Sequence, residues 1–441
     1  MSTDLVEKSN CGEGSLDRIS DIPDVLKEKI LECLPLNEAV KTSELSQNWR
    51  RIWTGMKRLT FNFNTPFFER FGRLTEVRFT RIIERILLLH HGSLELFSID
   101  IPRHFDSKSL YLNGWFVSLS RKKLQRLIIN PCGWAKREFI SIPPYLFDCL
   151  VLTHLGLINC ALRPPPNFQG FHNLVMLLLY STRIASKELS EFISHCPNIK
   201  TLFLYGILEC CYEPLIISAQ SVRDLHIKDF ISGMIILKNT PCLTLVTLEC
   251  LKDAPQVLHR KAYTMFELLC SLLAVEELTF DLPLLEPFNG YCPTILKNDF
   301  VALKTLTLGR VIICSQDVIM FVFCLLRSSP NLKTLNISIK YIGHNDEEDE
   351  ASLKCLEAEK IKGYNLSQLL NVKIAGLIGL RCETALVNIM LSGCPLLKTL
   401  RLELSWGITI EKEAKMAWEL NRCRRLSSDV ELMYYNSKSQ L

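Results

Sequence analysis

The residue types that most often carry chemistry are present in this chain, but not at the spacings that catalysis or metal binding needs. The 441 residues include 18 cysteines and 9 histidines. The sequence has no Cys-x-x-Cys pair and no Cys/His spacing typical of zinc, and the adjacent Cys210 and Cys211 cannot easily share one ion. It also lacks glycine-rich phosphate loops, nucleophile elbows and the His-Glu-x-x-His pattern. We therefore expect a protein that is not an enzyme, with no catalytic residue, metal or cofactor.

Three polar clusters are explained more simply by a place at a helix end, turn or loop than by catalysis or ligand binding. His90 and His91 close an amphipathic segment, so we expect them at a helix end. The basic run Arg121–Lys123 is short and predicts a solvated turn. The acidic run at residues 345–350 predicts a solvated loop that interrupts the repeats described below. Three tryptophans near predicted strand or loop ends fit core packing and ligand contact equally well: Trp115, Trp134 and Trp406.

Charge and hydrophobicity exclude several classes of protein. A net charge of +4 is too mild for the concentrated basic face of a nucleic-acid-binding protein. The longest apolar run, Val318–Leu326, is far shorter than the roughly 20 residues of a membrane-spanning helix. The N-terminus has no apolar stretch typical of a secretory signal. We expect reduced cysteines in the cytoplasm and/or nucleus, with no membrane and no nucleic acid as partner.

A repeated pattern is the strongest signal in the chain. Thirteen segments fit the template L-x-x-L-x-L with apolar substitutions, and their central residues, here called anchors, recur at intervals of 21 to 38 residues. The anchors are Leu59, Phe97, Leu127, Leu155, Leu177, Leu202, Leu225, Val246, Leu278, Leu306, Leu335, Val372 and Leu400. The Leu-x-Leu part has period two, so both side chains enter the core from one short strand. Such intervals leave room for a crossover between parallel strands, and one repeat cannot bury its own apolar face.

Prolines mark the ends of the segments that connect one strand to the next, which are called return segments. Four of them lie five residues before an anchor: Pro197, Pro241, Pro330 and Pro395. Proline cannot continue a helix, so each predicts the end of a helix ahead of the next strand. Four segments have the apolar spacing of helices: 75–91, 186–195, 316–327 and 382–391. The pattern predicts an α/β solenoid whose parallel strands line a curved face, with helices on the outer face.

A different unit precedes the repeats. Residues 17–53 predict a helix with an apolar stripe at Leu26, Ile30 and Leu34, ended by Pro35, and further helical segments after it. A three-helix unit of about 40 residues has too small a core to be stable alone. It must therefore pack on the repeats or on a partner.

This segment resembles the plant F-box, in the subclass that ends in an FBD region. The residues that match the family pattern are Asp17-Arg18-Ile19-Ser20, Ile22-Pro23-Asp24, Ile30-Leu31, Leu34-Pro35, Ala39-Val40, Thr42-Ser43, Leu45-Ser46, Trp49-Arg50 and Trp53. In that family the module binds a Skp-type adaptor, which bridges to a cullin scaffold. The resemblance implies adaptor contact at Ile22, Pro23, Ile30, Leu34, Pro35, Leu45 and Trp49. Internal packing is an equal alternative for Leu34 and Trp49.

Some residues depart from the family pattern. Ile22 replaces the usual leucine, and Glu44 stands where an apolar residue is usual, so a carboxylate facing the adaptor would weaken binding. Residues 419–434 resemble the tail of the FBD region, although Cys423 and Arg424 replace an aromatic-proline pair. We expect a helix at 411–425 and a closing strand at 430–435 that cap the solenoid.

The resemblance implies four parts: a disordered N-terminus at 1–15, an F-box at 16–54, a leucine-rich-repeat solenoid at 55–365, and final repeats with an FBD-like cap at 366–441. It implies a non-catalytic substrate-recognition subunit of an SCF-type ubiquitin ligase, whose repeat face binds a target protein. A hormone-type sensor of small molecules and a non-ligase scaffold with a drifted F-box are the alternatives. The residues that would bind a substrate are not assigned.

Overall fold

The protein is described by a computed structural model. It describes residues 19, 21–62, 75–102, 105, 110, 112–131, 139–208, 213–229, 235–249, 267–281, 293–341, 346–362, 366–406 and 408–436. The predicted disordered segment 1–15 and Trp134 lie outside these residues.

Helices and strands both occur in the described chain, with helices chiefly in its first half and near its C-terminus. The α-helices are α1 Asp24–Glu32, α2 Leu36–Lys41, α3 Glu76–Leu89, α4 Asn113–Ser120, α5 Ser186–Ser194, α6 Gln316–Arg327, α7 Asp346–Lys362, α8 Arg381–Gly393 and α9 Ile410–Asn421. Short 3-10 helices occur at Thr42–Glu44, Ile52–Gly55 and Pro144–Asp148. None of these described helices has the length and apolar character needed to cross a membrane.

Parallel pairing joins most of the strands into one sheet. The strands are β1 Arg58–Phe61, β2 Leu96–Ile101, β3 Arg126–Pro131, β4 Ile140–Ser141, β5 His154–Ile158, β6 Cys160–Ala161, β7 Met176–Tyr180, β8 Thr201–Tyr205, β9 Leu215–Ser218, β10 Asp224–Lys228, β11 Ile235–Lys238, β12 Leu245–Glu249, β13 Glu277–Asp281, β14 Thr305–Val311, β15 Thr334–Ile339, β16 Asn371–Leu377, β17 Thr399–Leu404 and β18 Glu431–Asn436. Fourteen of them form a sheet in the order β1-β2-β3-β5-β7-β8-β10-β12-β13-β14-β15-β16-β17-β18. Two small parallel sheets, β4 with β6 and β9 with β11, lie beside it.

The thirteen anchors form one continuous row across this sheet. Each anchor is the direct Cα partner of the next, from Leu59 opposite Phe97 to Val372 opposite Leu400. None of them is more than 2% exposed. The predicted parallel stacking and its register are therefore confirmed.

The prolines follow helices in three of four cases. Helices α5, α6 and α8 end two or three residues before Pro197, Pro330 and Pro395. Pro241 instead follows β11, so the prediction of a helix there is wrong. The physical reason is that the return segment before Pro241 pairs with β9 in a small sheet, which satisfies its backbone hydrogen bonds without a helix.

The acidic run is not a loop. Residues 346–350 form the start of α7, so the predicted solvated loop is wrong, and the sheet continues past it because Leu335 pairs with Val372. Carboxylates near a helix N-terminus are stabilised by the helix macrodipole, which favours a helix here. Asp349 is 9% exposed, and its Oδ1 accepts a hydrogen bond from the Cys382 amide at 3.1 Å. This contact joins α7 to the start of α8.

Hydrogen bonds attach the N-terminal helices to the first repeat. The His91 amide donates to the Thr54 carbonyl at 2.9 Å, and His90 Nε2 lies 2.8 Å from the Met56 carbonyl. Both histidines directly follow α3, as predicted. The predicted boundary between residues 54 and 55 falls inside the short helix Ile52–Gly55, and the division into four parts stays a prediction.

The C-terminal helix and strand occur close to where they were predicted, although α9 ends at Asn421, four residues before the predicted end at 425. Helix α9 buries Met416 and Leu420. Strand β18 then pairs in parallel with β17, with Leu432 opposite the last anchor, Leu400. The segment therefore extends the sheet by one strand and covers the side of β17 that would otherwise be a free edge.

Candidate protein-interaction surfaces

The N-terminal helices leave several large apolar side chains in solvent. Leu45 is 67% exposed, Leu26 48%, Ile30 45% and Leu34 38%. Ile19 and Val25 are also exposed, and the six residues together are called the apolar surface: Ile19, Val25, Leu26, Ile30, Leu34 and Leu45. One exposed leucine is ordinary in a protein, but six large apolar residues in so short a segment are typical of an interaction site.

The adjacent side of α1 packs into the molecule. Lys27 and Leu31, four residues apart, are 3% and 0% exposed. Lys27 Nζ lies 3.2 Å from Asp24 Oδ1 and 5.8 Å from the centre of the Trp49 ring. Leu26 and Ile30 each precede one of these buried residues by one position, about 100° around the helix, and are 48% and 45% exposed. The repeats therefore leave the stripe uncovered.

The residues predicted to contact an adaptor divide into two groups. Five are exposed: Pro23, Ile30, Leu34, Pro35 and Leu45. Ile22 is partly buried, and Trp49 is only 3% exposed, so Trp49 packs inside the chain. Contact with an adaptor stays a prediction, for which the five exposed residues are available. The sequence prediction omitted Ile19, Val25 and Leu26, although Leu26 lies one helical turn before Ile30 and shares its face.

Glu44 lies next to the most exposed residue of the apolar surface. It ends the 3-10 helix Thr42–Glu44 and directly precedes Leu45. Its side chain is exposed, and no ion pair to it occurs among the described residues. A partner that covers Leu45 would therefore have a carboxylate at or beside its contact.

The second surface is the face of the main sheet opposite to the anchors. Residues directly before and after each anchor point to this face because side chains alternate along a strand. Four of its rings, called the aromatic cluster, come from β7, β8 and β10: Tyr180, Phe203, Tyr205 and His226. Phe203 and His226 are stacked, with centroids 4.6 Å apart and planes at 12°. Phe203 and Tyr205 are 5.8 Å apart, and Tyr180 and Tyr205 are 6.2 Å apart.

Charged residues border the aromatic cluster on one side. Lys228 Nζ lies 5.4 Å from the Tyr205 ring centre and 2.5 Å from Glu249 Oε2. The hydrogen bond that Lys228 donates to Glu249 raises the pKa of Lys228, so this lysine stays charged. Burial lowers the pKa of His226, so its ring is neutral at pH 7 and stacks as an ordinary aromatic ring. Aromatic side chains beside paired charges are typical of the centre and rim of a protein interface.

A charged group also covers the last strands of this face. Glu403 lies 2.9 Å from Lys373 Nζ and 2.7 Å from an Arg401 guanidinium nitrogen. The Arg401 guanidinium carbon is 4.0 Å from the centre of the Tyr435 ring on β18. The face thus changes from aromatic in its middle to charged near the C-terminus.

Sequence models of known families match both the N-terminal helices and the repeats. The model described as "FBD-associated F-box protein At5g56370, LRR repeats" matches residues 112–337, more than half of the chain. The chain belongs to this F-box/FBD/LRR-repeat family. The F-box domain model matches residues 19–61, which contain the whole apolar surface. The aromatic cluster lies inside the matched repeats.

Two relatives from Arabidopsis thaliana are similar to this F-box/FBD/LRR-repeat protein over 95% of its length, and a third is similar over about half. F-box/FBD/LRR-repeat protein At1g13570 is 28% identical over 95% of this chain and 99% of its own. F-box/LRR-repeat protein 13 is 25% identical over 95% of this chain and 96% of its own. F-box/FBD/LRR-repeat protein At3g52680 is 29% identical over 48% of this chain and 46% of its own.

Two buried cysteines of this F-box/FBD/LRR-repeat protein contribute to packing. Burial raises the pKa of Cys149 and of Cys394 to about 12, so both are neutral thiols. No group of three metal-ligating side chains occurs among the described residues. Trp115 is fully buried, whereas Trp406 is 61% exposed after β17.

Proposed function

We propose that this protein is the substrate-recognition subunit of an SCF-type ubiquitin ligase in the cytoplasm and/or nucleus. Its F-box binds a Skp-type adaptor, and through it a cullin scaffold. The repeat-sheet face binds a target protein for ubiquitylation. The observation that carries the proposal is the apolar surface, which belongs to the matched F-box and is not covered by the repeats.

Burial of this surface supplies the binding energy. Covering an exposed leucine or isoleucine completely contributes about 1.5–3 kcal/mol. Leu26, Ile30, Leu34 and Leu45 are 38–67% exposed, so a partner that covers them gains the corresponding share of this energy without unfolding the module. The hydrogen bond from the His91 amide to the Thr54 carbonyl links the F-box to the first repeat.

The role of the chain itself is positional. The F-box holds the chain on the ligase, and a target on the sheet face is brought near the ubiquitin-transferring enzymes. Such proximity replaces an encounter between separate molecules. The aromatic cluster is the expected centre of the target contact, because aromatic side chains contribute large binding energies when they are covered.

Co-expression with a Skp-type adaptor tests the proposal. We expect the wild-type chain to capture the adaptor and a Leu34→Asp/Leu45→Asp variant to lose it, because a partner would have to bury two carboxylates. Leu88→Asp is the matched control, since Leu88 is 77% exposed on α3 outside the F-box. Failure of the wild-type chain to capture the adaptor, or an equal loss in the control, would contradict the proposal.

A further inference from the structure

An open cavity of about 670 Å³ lies among three neighbouring helices near the C-terminus. Lys360 of α7, Asn388 and Ser392 of α8, and Arg422 and Arg424 after α9 line it. It is called the basic cavity here. It is formed by different elements from those of the F-box and the aromatic cluster.

Positive charge dominates the basic cavity. Lys360, Arg422 and Arg424 line it together with one carboxylate, Glu419. Burial and Glu419 raise the pKa of the Cys423 thiol, while Arg425 and Lys360 act in the opposite direction, so both of these cations lie near Cys423. None of the four cations forms an ion pair within the part of the chain that the structure describes.

The partial negative charge at the helix C-termini balances only part of this positive charge. Lysine and arginine are often found at helix C-termini, where the free carbonyl groups carry a partial negative charge. The three helices α7, α8 and α9 end here and contribute roughly −0.5 each. Together with Glu419 they offset about 2.5 of the three positive charges that line the cavity, which leaves an excess of about 0.5. Arg425, which acts on Cys423 from outside the lining, raises the local excess to about 1.5.

One of the arginines is held in a defined orientation. The Arg422 guanidinium carbon lies 4.4 Å from the centre of the Trp418 ring. Stacking on a ring occupies the face of a guanidinium and leaves its N–H groups at the edge free to donate. Arg424, Lys360 and the Asn388 amide add further donors around the same cavity.

We propose that the basic cavity binds a phosphate monoester. Arginine forks and an ammonium group suit a tetrahedral dianion, which accepts more hydrogen bonds and carries more charge than a carboxylate. The phosphate is carried either by a small molecule or by a phosphorylated peptide. This site is separate from the proposed adaptor and target contacts, and it does not depend on them.

Titration of the full-length chain at constant ionic strength tests the site. The probes are inorganic phosphate, chloride, and a short glycine-rich peptide with one phosphoserine or with serine in its place. We expect phosphate to raise the melting temperature and chloride not to. Arg422→Gln/Arg424→Gln should weaken phosphate binding about tenfold or more. The single variant Arg424→Gln should show a smaller loss in the same direction if the double variant folds poorly.

A second basic group at a helix end is the matched control. Arg121 and Lys123 follow the C-terminus of α4 and are both exposed. Arg121→Gln/Lys123→Gln removes the same charge and should leave phosphate binding unchanged. Tighter binding of the phosphopeptide than of inorganic phosphate identifies a peptide source, and the reverse identifies a small molecule. An equal response of wild-type and Arg422→Gln/Arg424→Gln chains, or an equal response to chloride, would overturn the site.

Discussion

Leucines of the F-box and leucines of the repeats differ in what covers them. Leu202, an anchor of the sheet, is 0% exposed between its partners Leu177 and Leu225. Leu45 of the F-box is 67% exposed. Each inner repeat packs between two other repeats, which cover its apolar side chains. The short F-box packs against the first repeat on one side. The chain itself therefore covers the anchors of the repeats, whereas the apolar surface of the F-box remains available to another molecule.

The largest expected effect compares these two leucines directly. Leu202→Ala should lower the free energy of unfolding by about 3 kcal/mol, because it leaves a cavity between strands. Leu45→Ala should change it by less than about 0.5 kcal/mol, because an exposed side chain loses few contacts on truncation. Urea unfolding of the purified chains measures both. A loss of similar size for Leu45→Ala would show that this leucine is covered within the chain.

A smaller effect concerns the carboxylate beside Leu45. Glu44→Val should strengthen adaptor binding by about 1 kcal/mol, or roughly fivefold, because the partner no longer has to desolvate a charge. Titration calorimetry with the adaptor measures the change. Glu411→Val on α9 removes the same charge far along the chain and serves as control. An unchanged affinity for Glu44→Val would place this residue outside the contact.

The smallest effect is expected where the two regions join. His90 is 3% exposed, its Nε2 lies 2.8 Å from the Met56 carbonyl, and its Nδ1 has no hydrogen-bond partner among the described residues. Burial, the largest cause, lowers its pKa below 6.5 in the folded chain, so the unfolded chain binds the proton more tightly. The stability that His90 contributes is therefore present above about pH 6.5 and is lost as the pH falls below it.

Unfolding measured at about pH 7.5 and pH 5.5 tests this dependence. Burial also lowers the pKa of His154 and His226, so the wild-type chain should lose stability from all three histidines on acidification. A His90→Gln variant should lose less than the wild-type chain over this range. An identical pH dependence in both chains would assign the effect to the other histidines.

The repeats could be predicted in detail because their signal is local. Leu306, Leu335 and Leu400 each lie in a six-residue template, and the stacking of identical units then fixes their register. The predictions went wrong in the return segments, at Pro241 and in the acidic run. A return segment can form a helix or a small strand with the same apolar content, and pairing with a neighbour such as β9 decides which.

Short-range periodicity and motif are enough to identify the anchors and the small helical module that precedes them. Which face of α1 is covered depends on packing between distant segments: Lys27 and Leu31 face inward, and Leu26 and Ile30 remain in solvent. Only the tertiary structure brings Tyr180, Phe203 and His226 together, since they come from different strands. Their proximity arises from the in-register stacking of separate repeats. The residues next to each ring in the sequence do not predict it.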